Sequence, residues 1–396
     1  MTKLSVRDID LKEKRVLMRV DFNVSLDKQT GDITDDTRIK AALPTIEYIL
    51  KHGASLVLMS HMGRPKGNVV AGLKMDKVGQ RLSLLLGKPV LKLDECVGAQ
   101  VENVVRNLVP GQVVLLENTR FYPEETANDA VFARKLSRLG DVFVNDAFGT
   151  AHRAHASTVG VASYLPAVAG LLMARELDVL GAILSNPEQP FIAILGGAKV
   201  SDKIGVLSTL VDKCRYILIG GGMAYTFLKA DGIDIGSSLV EEDKLAEAAM
   251  IRRQAGSRGC EIVLPVDHVV ATEPSTSATS ITIDDLQIPA GLMGLDIGPK
   301  TVQRFIDLIN VARTVFWNGP LGYFEVSAFS IGTREIARTL AISSATVVVG
   351  GGDSIAALKS ENMLDKMAHV STGGGASLEF LEGKELPGVV ILKDKV

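Results

Sequence analysis

The chain has 396 residues, room for roughly two or three domains, and is 46% hydrophobic and 22% charged, the composition of a globular protein with sizeable cores. Its net charge of -3 excludes a global basic field for nucleic acid or acidic membranes, so anion binding must be local. Three cysteines without CxxC spacing exclude a disulfide framework or zinc knuckle and favour a reducing cytosol. The amino-terminal MTKLSVRDIDLKEKR lacks the apolar core of a secretory signal. The apolar stretch VGVASYLPAVAGLLMA is shorter than a span of about 20 residues and contains Pro166. A cytoplasmic protein with no nucleic-acid or membrane partner is expected.

Short β-branched runs recur along the chain, each followed by glycine or polar residues and then a helical pattern. In the first half these are RVLMRVDFNV, ASLVLMSHMG, PVLKL, QVVLLENTRF and DVFVNDAFG. Between the first two, Ile39, Leu43, Ile46 and Leu50 fall at helical spacing, with Thr34 expected as N-cap, Pro44 as a kink and Gly53 as the stop. Leu171, Arg175, Val179 and Ile183 keep helical phase until Asn186-Pro187 and Pro190 break it, which reads as a linking helix. The second half repeats the alternation with FIAILGGAK, YILIGGGMA, EIVLPVDHV, TVFWNGPLG, TVVVGGGDS and AHVSTGGGAS. Near-continuous apolar strands alternating with helices predict parallel sheets covered on both faces, and about eleven strands fit two sheets better than one. The fold class expected is therefore α/β: two doubly wound, Rossmann-like parallel-sheet domains joined by a helix hinge. No extended heptad or exposed edge signal stands out, which favours a monomer.

Polar residues cluster just after the apolar runs, where open α/β sheets bind ligands. The first half places Asp21, Asn23, His61, Arg64, Arg120 and Arg153 there, the last among His152 and His155, while Arg38 opens the helix. A single arginine reads as solvated charge, but several guanidinium forks at converging strand ends suit a small polyanion. His152 and His155, three apart and without carboxylate company, make a poor zinc site. The second half offers glycine turns instead, among them Gly196-Gly197, Gly221 and Gly351-Gly352. Such turns expose backbone N–H groups to a phosphate at a helix start. None is a Walker A loop, and none is a GxGxxG followed by the acidic residue that a dinucleotide site requires, which argues against a nicotinamide-dependent dehydrogenase. Lys199 and Lys203, four apart at the expected helix start, would share one face and oppose its dipole unless an anion sits there. Asp353 brings a carboxylate to a turn otherwise built for phosphate, and either a metal ion or a helix-start cap would explain it.

Taken together and in order, RVDFNV, SHMGRP, ENTRF, NDAFGTAHRAHAS, GGAKVSDKI, GGGMAYTFL, WNGPLGYFE, GGGDS and STGGGASLEFLEGKELPGV resemble the phosphoglycerate kinase family across nearly the whole chain. The resemblance implies a two-lobed kinase that transfers a phosphoryl group reversibly between 1,3-bisphosphoglycerate and ADP, giving 3-phosphoglycerate and ATP. It implies a phosphoglycerate domain at 1–172, an interdomain helix at 173–186 and a nucleotide domain at 187–382, with 383–396 packing back on the first. The phosphoglycerate side would comprise Asp21, Asn23, Arg38, His61, Arg64, Arg120 and Arg153. The nucleotide side would comprise Gly196, Gly197, Lys203, Gly221, Asn318, Glu325, Gly351, Gly352, Asp353 and Ser354, with Asp353 toward Mg²⁺. The transferring group would be met by Arg38 and by Lys199 or Lys203. A carboxylate acceptor is already ionised at neutral pH, so no general base is needed, and hinge closure near Leu171–Pro190 is expected. Ser25 stands where the family usually has proline, which removes a φ restraint beside Asn23.

Overall fold

The structure, a computed structural model, describes residues 3–27 and 29–395. The apolar runs of the first half form strands β1 (Arg15–Arg19), β2 (Ser55–Met59), β3 (Val90–Lys92), β4 (Val113–Leu115), β5 (Val142–Asn145) and β6 (Ala167–Ala169). They join in one all-parallel sheet of order β3-β4-β2-β1-β5-β6. β2 and β5 are buried at every position, which explains their continuous rather than alternating hydrophobicity. Helix α1 (Thr37–Lys51) lays Ile39, Ile46 and Ile49 against Val16, Met18, Leu56 and Leu58. Each such side chain contributes about 1.5–3 kcal/mol on burial.

One local expectation changes here. The residue capping α1 is Asp36, not Thr34, because Thr34 lies in a short strand, Ile33–Asp35, that pairs with Ser25–Leu26. Pro44 sits within α1, which continues through it to Lys51, and Gly53 follows with the positive φ of a helix stop.

Helix α2 (Leu171–Ser185) starts two residues before the expected interdomain helix and ends one residue short of it. Its first turn is fastened to the first sheet: Asp146 Oδ1 accepts from Leu172 N at 2.9 Å and Met173 N at 3.1 Å, and Thr45 Oγ1 accepts from Leu171 N at 3.0 Å. Burial pushes the Asp146 carboxyl up to about 6, with those N–H donors opposing.

The second half contributes β7 (Phe191–Leu195), β8 (Tyr216–Ile219), β9 (Glu261–Val263), β10 (Thr314–Asn318), β11 (Thr346–Gly350) and β12 (His369–Val370). Their order, β9-β8-β7-β10-β11-β12, again all parallel, reverses direction between β7 and β10. Helices α3 (Ile204–Leu210), α4 (Gly222–Ala230) and α5 (Gly352–Ser360) each follow a strand end. A separate antiparallel sheet of His268–Ala271, Ile281–Ile283 and Met293–Ile297 falls between β9 and β10. The expected run EIVLPVDHV is therefore two strands belonging to two sheets.

The chain divides into two compact units. One runs to Gly181 and takes in the segment from Glu385; the other is Ala182–Lys384. The first boundary falls inside α2, beyond the expected 172, and the second between Lys384 and Glu385, two residues past the expected 382. Within the first unit Asn145 Nδ2 donates to Gly388 O at 2.9 Å, and Lys393 N donates to Ala167 O at 3.0 Å. Val396, the last residue of the segment expected to return, lies outside the described residues.

Candidate active site

In the first unit the ends of β1, β2, β4 and β5 gather the cationic residues. Arg38, near the start of α1, donates to Asp21 at 2.5 Å just past β1. His61, 3% exposed at the end of β2, faces Arg19, and the Arg19 guanidinium donates to its Nδ1 at 3.1 Å. A guanidinium cannot accept, so the His61 proton sits on Nε2. Asn23 Oδ1 accepts from Gly63 N at 2.8 Å, and Arg120 donates to Gly63 O at 2.7 Å. Arg153 lies beside His152, at 3.1 Å. Arg64 is exposed on the loop that follows His61 and makes no hydrogen bond or ion pair with the others.

Electrostatics tie this group together. The His61 imidazole is held well below its ordinary value, first by burial and then by Arg19, Arg120, Arg38 and Arg153. The same forces bring His155 down to about 4, and burial with Arg153 and Arg19 brings Arg120 down to about 10. Four guanidinium groups act on one imidazole, while the acids that act back on Arg19 and Arg120 are Asp21 and Glu125. With four guanidinium groups set against two carboxylates, Asp21 and Glu125, the basin holds a surplus of positive charge.

Sequence reasoning missed the layer beneath. Arg19, 1% exposed, is pinned by Ser157 Oγ at 2.8 Å, and Ser157 is in turn held by the fully buried Glu125 at 2.5 Å. A charge directly after the apolar run Val16–Met18 was the available signal for Arg19.

In the second unit the glycines divide into two kinds. A Cβ on Gly196 would stand 2.0 Å from Pro320 O, and one on Gly221 would stand 2.7 Å from Gly197 O. Those glycines let the ends of β7, β8 and β10 touch backbone to backbone. Gly352, the first residue of α5, meets nothing within 4 Å, so the protein's own packing does not require it to be small. Gly197 and Gly351 have positive φ, which favours glycine whatever the space.

The two lysines also separate. Helix α3 begins at Ile204 with Lys203 as its cap residue, so Lys199 lies in the irregular segment before it and the expected shared helical face does not exist. Lys199 is exposed and acts on Glu241. Lys203 is half-buried and donates to Asn318 Oδ1. Burial holds its ammonium below the ordinary lysine value, against the pull of Asp202 and Asp353. The Asn318 amide nitrogen, also buried, lies 3.1 Å from where a Gly351 Cβ would stand and has no hydrogen-bond partner among the described residues. Ser354 stands behind the turn, fully buried, with its Oγ accepting from Gly319 N at 2.6 Å. Glu325 is exposed on the segment after β10. Asp353 is exposed in the first turn of α5, whose cap residue is Gly351 with no side-chain cap bond.

Among the described residues no cluster of three metal-ligating side chains exists, and no helix is long and apolar enough to cross a membrane. Asp353, an exposed carboxylate in the first turn of α5, suits Mg²⁺, which keeps waters and substrate oxygens as its other ligands.

Comparison with known proteins agrees with this fold. The family model described as phosphoglycerate kinase matches residues 6–384. Phosphoglycerate kinases of Pelotomaculum thermopropionicum and Moorella thermoacetica are 56% and 54% identical, each over 395 residues covering all of both chains. The solved phosphoglycerate kinase of Coxiella burnetii superposes with a TM-score of 0.88 at 42% identity, and that of Pyrococcus horikoshii with 0.85 at 32%, each over 98% of both chains. The chain belongs to the phosphoglycerate kinase family.

Proposed function

We propose that the two strand-end basins divide the work of one reaction, with 3-phosphoglycerate held in the first unit and the nucleotide in the second. The activity is that of the family: a phosphotransferase with a carboxyl acceptor, working in glycolysis, for which ATP + 3-phosphoglycerate ⇌ ADP + 1,3-bisphosphoglycerate. The observation that carries the division is the surplus of guanidinium charge around His61, set against glycine turns and one half-buried lysine in the other unit.

In this reading Arg38, Arg120 and Arg153 bind the phosphate and carboxylate of 3-phosphoglycerate, with Arg64 joining from the rim. His61, neutral and protonated on Nε2, donates a hydrogen bond rather than a proton. Asp21 and Asn23 take the hydroxyl side, and Asp21 holds the Arg38 guanidinium in place until the transferring group competes for it. The acceptor carboxylate is ionised, so charge neutralisation and in-line placement are what remain for the protein to supply. Arg38 does this from the acceptor side and Lys203 from the donor side. Lys199 remains an exposed second cation for the same phosphates.

The nucleotide reading rests on Gly351 and Gly352 as backbone donors, on Gly196, Gly197 and Gly221 as close-packed turns whose own N–H groups already donate to Asn318 O, Pro320 O and Leu321 O, on Asn318 with its unpaired amide, and on Glu325 toward the ribose. Ser354 acts by setting the Gly319 backbone. Asp353 would hold Mg²⁺, which supplies charge neutralisation on the nucleotide phosphates when bound. Transfer from one basin to the other requires the two units to approach during turnover. The enzyme is taken as a cytoplasmic monomer.

Hydroxylamine trapping tests the reading. Incubation with MgATP and 3-phosphoglycerate should yield the hydroxamate that only an acyl phosphate forms. ADP formation without hydroxamate would show a different acceptor.

A further inference from the structure

The loop from Met62 to Leu73 brings Gly63 to the phosphoglycerate basin and Arg64 to its exposed rim, yet its only regular structure is one 3-10 turn, Ala71–Leu73. Its place is set by a residue outside it. Asn118, fully buried after β4, accepts from Met62 N at 3.0 Å and donates to Met62 O at 2.8 Å and to Leu73 O at 2.9 Å. One side-chain amide thus closes both ends of the loop. The same Oδ1 accepts from Arg120 N at 3.1 Å, so Asn118 also orients the segment that presents Arg120. Gly63, one residue past this anchor, connects in turn to Asn23 and Arg120.

Asn118 is itself held from behind. Glu117, 2% exposed, accepts from Asn118 N at 2.8 Å and from Met75 N at 2.9 Å through one oxygen. Its other oxygen accepts from Lys92 Nζ at 2.6 Å. Lys92 lies on β3, the edge strand of the sheet, away from the residues assigned to substrate. A buried carboxylate stays fixed in such a network only while its cation is present.

We propose that Asn118, locked by the Glu117–Lys92 ion pair, is the positioning residue for the phosphoglycerate basin, setting the loop of Gly63 and Arg64 and the backbone of Arg120 at once. The inference rests on the reading that this basin holds 3-phosphoglycerate. None of the three residues touches substrate. They act through the backbone of those that do, so loss of the network selectively weakens one of the two substrates.

Steady-state kinetics on the full chain test it, with KM measured for 3-phosphoglycerate and for ATP. Asn118→Asp keeps the acceptor but sets a carboxylate oxygen against the carbonyls of Met62 and Leu73. It should raise KM for 3-phosphoglycerate by about tenfold to a hundredfold, the usual penalty for ångström-scale misplacement, with KM for ATP within about twofold. Lys92→Met should shift the same constant in the same direction, and Lys92→Arg should restore it. Should Asn118→Asp fail to fold, the Lys92 pair decides alone. An unchanged KM for 3-phosphoglycerate in Lys92→Met, an equal rise in both KM values, or a Lys92→Arg as impaired as Lys92→Met would each overturn the inference. Arg120→Ala separates the two levels. If it leaves KM for 3-phosphoglycerate unchanged, the basin reading itself falls, whereas a rise there with none in Lys92→Met and Asn118→Asp removes only the positioning role.

Discussion

Gly352→Ala and Gly196→Ala are the same chemical change at two strand-end turns of one unit, and the structure gives them opposite consequences. A methyl on Gly352 enters open space at the first position of α5, with φ outside the left-handed region. Replacing a helical glycine by alanine should leave the fold unharmed or stabilise it by up to about 0.5–1 kcal/mol. If nucleotide phosphates lie against that helix start, the methyl holds them off by roughly an ångström, and KM for ATP should rise by about a hundredfold. A methyl on Gly196 would stand 2.0 Å from Pro320 O and 2.9 Å from Gly319 O, so the end of β10 must move. That overpacking should cost about 1–3 kcal/mol or more in stability. Trp317, fully buried in the second unit with its Nε1 donating to Gly319 O at 2.8 Å, reports the unfolding of this region in a urea titration followed by fluorescence. A Gly352→Ala enzyme with wild-type KM for ATP would refute the placement of phosphate at this turn. Loss of stability in Gly352→Ala comparable to that of Gly196→Ala would refute the steric argument.

Binding of 3-phosphoglycerate should take up protons below neutral pH. His155 sits at about 4 in the free protein against an ordinary 6.5, and an anion among the arginines relieves the repulsion and raises it, so uptake falls between those values. Calorimetry at about pH 5.5 in two buffers of different ionisation enthalpy reads it directly, and identical heats in both would contradict the electrostatic account. Asp353→Asn should fold normally, since Asp353 is exposed and makes no cap bond, but should need about tenfold more Mg²⁺ at fixed ATP, a carboxylate–cation contact near the surface being worth ~1–2 kcal/mol. An unchanged Mg²⁺ response would leave Asp353 without a metal role.

Eleven of the twelve parallel strands were legible in the sequence because buried parallel strands are continuous apolar runs, and their ligand-bearing ends are marked by glycine or charge. The twelfth, Ala167–Ala169, hid in a small-residue stretch after Pro166, where neither bulk nor branching signals a strand. The His268–Ile297 sheet was missed because LPVDHV reads as the tail of β9. Within the site, the residues one turn past a strand were found, whereas those acting through tertiary contacts were not. Arg19 meets Ser157 138 residues away, and Asn118 meets Met62 56 residues away, distances that no local pattern encodes. The pairing of Lys199 with Lys203 failed because it assumed a helix that begins only at Ile204, after a turn at Ser201–Lys203, so four-residue spacing carried no shared face. Likewise the glycine count overstated the phosphate contacts, since Gly196 and Gly221 are needed by backbone packing on its own.

The division of substrates between the two basins is tested most directly by calorimetric titration of Arg38→Ala and Lys203→Ala with 3-phosphoglycerate and with ADP. The account predicts a crossed result, in which Arg38→Ala keeps ADP affinity, weakens 3-phosphoglycerate and abolishes turnover, while Lys203→Ala weakens ADP and keeps 3-phosphoglycerate. Loss of both ligands in either variant, or near-normal turnover in Arg38→Ala, would contradict it.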